Sequence, residues 1–298
     1  MDKKFQGIYA ALVTPYTPEG EVNYKEVKKL VRYLIKKGID GFYVGGSTGE
    51  AFLLTQEERK RLLEAVLEEN AGTCKVIAHV GQISTALACE LAVHASQEGA
   101  DAVSAISPFY YKFSQEEVKG YYGDIMEASS IPMFLYNFPQ YSGFSLTPKL
   151  LDELCGIGNI AGVKFTSNNF FDMERMRSRH PELTIWNGFD EMLSSGLSVG
   201  ADGAIGSTYN ILCPIAKKVY EAMKHGNVEE AQVYQRMINT MVELSQNCSN
   251  IFVVIKAVLD MDGFSMGGCR KPFGSLPEHA KGDIETIYHQ FVEPFLSV

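Results

Sequence analysis

The sequence predicts an α/β fold, and within that class a (β/α)8 TIM barrel followed by a C-terminal helical extension. Three observations carry the prediction. From residue 7 to about residue 225, short β-branched or small-residue runs alternate with amphipathic helical patterns, and eight strand runs can be counted. Eight buried parallel strands joined by right-handed crossovers can close on themselves and leave no edge to protect. The first strand leads into Ala10-Ala11-Leu12-Val13-Thr14-Pro15 rather than the G-x-G-x-x-G turn of an open dinucleotide-binding sheet. An open doubly wound sheet is the alternative that pattern alone leaves standing.

In chain order the expected strands are Ile8 to Pro15, Gly41 to Gly46, Lys75 to Gly81, Ala102 to Pro108, Met133 to Pro139, Ile160 to Ser167, Leu183 to Phe189 and Gly203 to Ser207. Helix starts between them are marked by caps: Asn23 with Glu26, Thr55 with Glu58, Ser114 with Glu117, and Thr147 followed by Pro148 at the first helical position. After Gly226 the strand signal stops. Asn227 to about Met261 reads as two helices, the first capped by Asn227 and Glu230, and a third runs from Asp283 to Phe295. This divides the chain into a barrel, 1–225, and an extension, 226–298, whose apolar faces must cover the barrel or a partner subunit because it has no obvious core of its own.

Composition narrows the function classes. The chain has 298 residues, 46% of them hydrophobic, enough for one large α/β domain or two small ones. The formal charge of −9, without a Lys/Arg cluster beyond short helical runs, argues against a nucleic-acid or anionic-membrane surface, so an anionic substrate must be held locally. Six widely spaced cysteines contain no C-x-x-C pair, which indicates neither a zinc knuckle nor a disulfide framework and fits a reducing compartment. Met1-Asp2-Lys3-Lys4 and the apolar Ile8 to Val13 are too short for a signal sequence, and no apolar run approaches the ~18 residues that cross a bilayer. The expectation is a soluble cytoplasmic protein.

Barrels of this type place chemistry at the carboxyl ends of the strands, and the reactive residues cluster there. The sixth strand puts Lys164 inside an otherwise apolar run, with Thr166 on the same side two residues on. Burial disfavours an ammonium, lowers its pKa and makes the amine nucleophilic near neutral pH; the bland alternative is a lysine snorkelling to water from a strand end. The second strand ends in Gly45-Gly46-Ser47-Thr48-Gly49-Glu50, a turn able to offer backbone N–H groups and two hydroxyls to a carboxylate, although Ser47 and Glu50 also have capping-box spacing. The fifth strand carries Tyr136, and the fourth ends in the aromatic Ser107-Pro108-Phe109-Tyr110-Tyr111. The seventh ends in Asn187-Gly188-Phe189-Asp190-Glu191 and the eighth in Ile205-Gly206-Ser207-Thr208; acidic residues at Asp190 and Glu191 also suit a helix N-terminus. A lysine nucleophile with a nearby tyrosine describes Schiff-base chemistry on a ketone. A metal-dependent enolate mechanism lacks ligands, because the six histidines show no i, i+4 pair or H-x-H, and His79 alone reads as a satisfied core residue.

At these residues the chain resembles the N-acetylneuraminate lyase and dihydrodipicolinate synthase family of pyruvate-dependent aldolases. The likeness spans nearly the whole sequence and rests on G-G-S-T-G-E at Gly45 to Glu50, S-P-F-Y-Y at Ser107 to Tyr111, Tyr136-Asn137 with Pro139, G-V-K at Gly162 to Lys164, and G-S-T-Y-N at Gly206 to Asn210. It implies a barrel with a C-terminal helical extension in a homotetramer built as a dimer of dimers. It also implies no cofactor beyond a covalent imine on Lys164, Tyr136 as the acid/base, and Ser47 with Thr48 binding the pyruvate carboxylate. Tyr110 matches a tyrosine that reaches a neighbouring subunit's site, a role that requires the oligomer.

Substrate choice within the family turns on the distal pocket. Dihydrodipicolinate synthases resemble Y-N-x-P-x-R-T, whose arginine holds a second carboxylate, whereas here Pro139 is followed by Gln140-Tyr141-Ser142-Gly143. Thr166, Gly188, Asp190, Glu191, Gly206 and Ser207 are similar to the set with which sialic acid lyases bind a polyhydroxylated chain, and carboxylates accept hydrogen bonds from sugar hydroxyls. The implied activity is reversible cleavage of sialic acid to pyruvate and N-acetylmannosamine. A 2-keto-3-deoxy sugar acid aldolase or a dihydrodipicolinate synthase is the alternative within the class, and a non-catalytic sugar-acid sensor the alternative outside it. Asn250 to Met266 reads as packing.

Overall fold

In the computed structural model, which describes residues 5–296, eight parallel strands close into a barrel. They are β1 (Gly7–Ala11), β2 (Gly41–Val44), β3 (Lys75–His79), β4 (Ala102–Ile106), β5 (Met133–Asn137), β6 (Ile160–Phe165), β7 (Thr184–Asn187) and β8 (Gly203–Gly206), with β8 pairing back onto β1. The closed sheet decides against the open doubly wound alternative. Each strand stops short of its expected carboxyl end, by four residues in β1 and by one or two elsewhere. There the chain leaves the sheet, through apolar residues such as Leu12, Val13 and Phe138 and hydroxyl residues such as Thr166 and Ser207, to form the loops of the barrel mouth. Met1 to Lys4 lie outside the described residues, while Ile8 to Val13 form β1 and the start of its loop.

The expected caps form. Thr55 with Glu58 and Ser114 with Glu117 make reciprocal capping boxes, and Asn23, Thr147 and Asn227 each accept a backbone N–H three residues on. Each such cap contributes about 1 kcal/mol to its helix.

Two apolar layers follow from the inward and outward alternation along each strand. The outer layer joins barrel and helices. The inner one holds an aromatic plug in which Phe134 and Trp186 pack at 4.3 Å between centroids, with Tyr9 at 5.0 Å from Trp186 and Phe5 at 5.1 Å from Phe134. Buried aromatics of this size typically stabilise by about 3–5 kcal/mol when judged by truncation to alanine. Above the plug the interior opens into the site.

The extension consists of helices Val228–Cys248 and Ile251–Met261 and a last one, Lys281–Ile287, that loosens into a π turn at Tyr288–Val292 and a 3-10 turn at Glu293–Phe295. The last helix thus starts two residues before the expected Asp283. Ile238, Met241, Val254 and Val258 belong to one apolar core with Leu12 and Val13, so the extension covers the barrel and shares its core. No helix among the described residues is long and apolar enough to cross a membrane.

Candidate active site

Register brings the two key side chains together: Tyr136 of β5 and Lys164 of β6 are paired residues on adjacent strands. Both point into the barrel, and Lys164 is 5% exposed. Its Nζ lies 4.2 Å from the centre of the Tyr136 ring and 4.3 Å from that of Tyr43. Burial lowers the Lys164 pKa to about 7, against the smaller opposing pull of the Asp190 carboxylate. A substantial fraction of free amine is therefore present at neutral pH, and the snorkelling alternative falls. Burial pushes the Tyr136 phenol up, while the hydroxyls of Thr166 and Ser47 pull the other way. Tyr136 enters as a neutral phenol.

The β2 turn is a single 3-10 turn, Ser47–Gly49, with no side-chain cap: Gly46 stands before it and Glu50 closes it by donating its backbone N–H to Ser47 O at 3.0 Å. Glu50 adopts left-handed backbone angles (φ 59°) and turns its side chain away, so the capping-box alternative is not what forms. Thr14 Oγ1 donates to Gly49 O at 2.7 Å, and Thr48 Oγ1 and Ser207 Oγ share a hydrogen bond of 2.7 Å across the mouth. His79 Nδ1 meets Gly45 O at 3.0 Å while its Nε2 accepts from the Ile106 N–H at 3.3 Å, which assigns the proton to Nδ1. Burial holds His79 well below the ordinary histidine range, so it is a neutral, satisfied core group that pins the start of the turn.

Opposite the lysine, Asp190 Oδ2 accepts the Thr208 N–H at 2.7 Å rather than capping its own helix. Burial raises its pKa to about 6 and the Thr208 contacts lower it, leaving a carboxylate above that pH. Gly188 and Gly206 allow this packing. A Cβ on Gly188 would lie 1.8 Å from Thr166 Oγ1, and one on Gly206 would lie 1.9 Å from Asp190 Oδ1.

Ser47, Thr48, Tyr136, Lys164, Thr166, Gly188, Asp190, Glu191 and Ser207 line one cavity of about 350 Å³ at the carboxyl mouth. Gly206 stands behind it against Asp190. Tyr110 is not brought there: it is 84% exposed, with φ 75°, over a separate surface depression shared with Tyr111 and Phe113.

Sequence reasoning missed two contributions. Tyr43, one face of the lysine's aromatic slot, follows from the inward alternation of β2 two residues before Gly45. Gln246, Ser249, Ile251 and Phe252 of the extension also line the cavity, which corrects the reading of Asn250 to Met266 as packing alone. No motif marks the pocket residues, because what places them is the path of two helices across the mouth. Among the described residues no group of three or more His, Cys, Asp or Glu is arranged to hold a metal ion.

The fold and the contents of its mouth define the class: a TIM-barrel protein with a buried lysine and tyrosine at the carboxyl ends of adjacent strands. The model of the dihydrodipicolinate synthetase family matches residues 4–291. N-acetylneuraminate lyase of Shigella boydii is 41% identical over 295 residues, spanning 98% of this chain and 99% of the relative. Among solved structures, N-acetylneuraminate lyase from Fusobacterium nucleatum complexed with pyruvate superposes with a TM-score of 0.92 at 36% identity, covering 97% of each chain. A catalytic lysine mutant of the Ruminococcus gnavus sialic acid aldolase gives 0.95 at 32% identity, over all of this chain and 97% of that one. The chain belongs to the dihydrodipicolinate synthetase family.

Proposed function

We propose that this chain is a carbon–carbon lyase that cleaves N-acetylneuraminate reversibly to pyruvate and N-acetylmannosamine, working through an imine on Lys164. The observation that carries the reading is the Lys164 amine, buried between two tyrosine rings with a pKa near 7, in a mouth whose far side offers Asp190 and Glu191. An acid-lined pocket suits a hydroxylated chain. Where an arginine would hold a second carboxylate, Gln140 and Tyr141 line the cavity instead.

Ser47 and Thr48 hold the substrate carboxylate, and the free Lys164 amine adds to the C2 ketone. Loss of water leaves a protonated imine. Tyr136, a neutral phenol, takes the C4 hydroxyl proton as it passes its own to Ser47, and the C3–C4 bond breaks with its electron pair drawn into the imine as an enamine. The acceptor departs as an aldehyde. The relay returns that proton to C3 of the enamine, and hydrolysis of the resulting imine then restores the amine and releases pyruvate. The partner subunit's Tyr110 extends the hydroxyl relay in a homotetramer, and the exposure of Tyr110 on the single chain agrees with that role. The barrel, 1–225, supplies the chemistry and the extension, 226–298, closes the pocket, in a cytoplasmic enzyme.

Incubation with pyruvate and borohydride reduces the imine and adds the pyruvate-derived group to the peptide holding Lys164; a label elsewhere, or none, sinks the mechanism. Pyruvate release from N-acetylneuraminate exceeds release from 2-keto-3-deoxy sugar acids by more than about tenfold in kcat/KM, and a reversed preference assigns a different acceptor.

A further inference from the structure

Glu50 closes the turn that carries Ser47 and Thr48 through its backbone N–H to Ser47 O, yet its side chain neither caps that turn nor lines the cavity. Its side chain is wholly buried, and its carboxylate meets the extension. Oε1 accepts from Lys256 Nζ at 2.6 Å, and Oε2 accepts from the Arg270 backbone N–H at 2.8 Å. Lys256 belongs to the helix Ile251–Met261 and is likewise fully buried; its Nζ also donates to Gly268 O and lies 4.3 Å from the centre of the Tyr16 ring. The Cys269 thiol completes the shell, pushed up to about 12 by burial and so protonated at neutral pH. The Arg270 side chain is engaged elsewhere, with Glu58, Gly20 O and Leu53 O.

The same helix therefore acts at two places. Its first turn puts Ile251 and Phe252 into the cavity wall, and its second turn grips the carboxylate-binding turn through Lys256. A carboxylate with non-glycine left-handed backbone angles adopts a sparsely populated conformation that the surroundings must enforce. The buried ion pair supplies that enforcement. We infer that Lys256 and Glu50 are positioning residues, which hold the Ser47–Thr48 turn in the conformation that receives the keto acid's carboxylate and tie that conformation to the seating of the C-terminal helices.

This rests on the reading that Ser47 and Thr48 bind that carboxylate, and borohydride trapping with pyruvate as the probe separates the two. If the parent protein is not trapped at all, the imine reading fails. If the parent is trapped, the pyruvate concentration for half-maximal trapping is compared in Lys256→Met and Glu50→Gln, together with circular dichroism and thermal unfolding. The expected result in folded protein is a rise of about tenfold or more in half-saturation, with the limiting trapping rate reduced less than about threefold, because the lysine itself is untouched. The pair Lys256→Met with Glu50→Gln, which removes both charges, recovers stability without recovering pyruvate affinity. Half-saturation within about twofold of the parent in folded variants overturns the inference, since a merely structural pair moves stability alone. Should none of the three fold, hydrogen–deuterium exchange of the parent decides. Pyruvate must then slow exchange in the helix Ile251–Met261 as well as in the turn, and an unchanged helix overturns the coupling.

Discussion

Two lysines among the described residues are buried, and they have opposite surroundings. Lys164 on β6 looks into the barrel between the rings of Tyr43 and Tyr136, and burial dominates over its more distant attraction to Asp190. Lys256, on the helix Ile251–Met261, has the Glu50 carboxylate at 2.6 Å. An uncompensated ammonium in a dry site sheds its proton, whereas one in contact with a carboxylate is held as half of an ion pair. Burial alone makes neither a nucleophile nor a structural tie; what stands opposite the nitrogen selects between them.

The sharpest way to break this comparison is to replace both lysines by methionine. Lys164→Met abolishes pyruvate release, with a loss beyond about 10⁴-fold in kcat. It also stabilises the fold by an amount on the order of 3–5 kcal/mol below pH 7. The unfolded lysine keeps its proton up to about 10.5 and the folded one releases it at about 7, so between those values the unfolded chain binds more protons and the parent gains stability as pH rises. The advantage of the methionine variant accordingly shrinks towards pH 10.5, which denaturant titrations at several pH values measure. Lys256→Met has the opposite sign. It strands Glu50 without its partner and costs about 3–5 kcal/mol. Stabilisation of both variants would erase the distinction.

A smaller effect is expected at Tyr136. Tyr136→Phe keeps the aromatic face over the amine, so borohydride trapping by pyruvate survives while cleavage of the sugar acid falls about 10²- to 10⁴-fold. Loss of trapping along with cleavage would mean that the hydroxyl, not the ring, conditions the lysine. The smallest effect belongs to Asp190→Asn. In the parent, trapping increases with pH through about 7 as free amine accumulates, and removing the Asp190 charge moves that midpoint slightly lower. KM for the sugar acid rises about tenfold or more through weakened hydrogen bonds to its hydroxyls. A midpoint that moves upward contradicts the assigned role of the carboxylate.

The two lysines also show how far the sequence could be read. Lys164 and Lys256 give the same local signal, one lysine in an apolar run, yet Lys164 alone was legible as a functional group. It falls at the end of a barrel strand, and the periodicity of strands and helices tells where strand ends meet. Lys256 acquires its meaning from Glu50, 206 positions earlier, through a contact that no local pattern encodes. The same holds for Phe252 and Gln246, whose place in the cavity depends on the angle at which the extension crosses the mouth. The caps at Thr55 and Ser114 formed as expected because their chemistry is contained within four residues. The strand ends were overestimated because apolar sequence continues past the last paired residue, as at Leu12 and Val13 after β1 and Phe138 after β5, where the loops of the site begin.

The bare Cα positions of Gly188 and Gly206 bear on how this pocket can diversify. Any side chain at 188 collides with Thr166, and any at 206 collides with Asp190, so neither position is open to a gradual widening of the range of accepted aldehydes. Change must enter from the rim, at Gln140, Gln246 or Ser249, where side chains already project into the cavity from elements that hold no reacting group. Variation introduced there alters which aldehyde fits while the machinery that handles the keto acid is inherited intact.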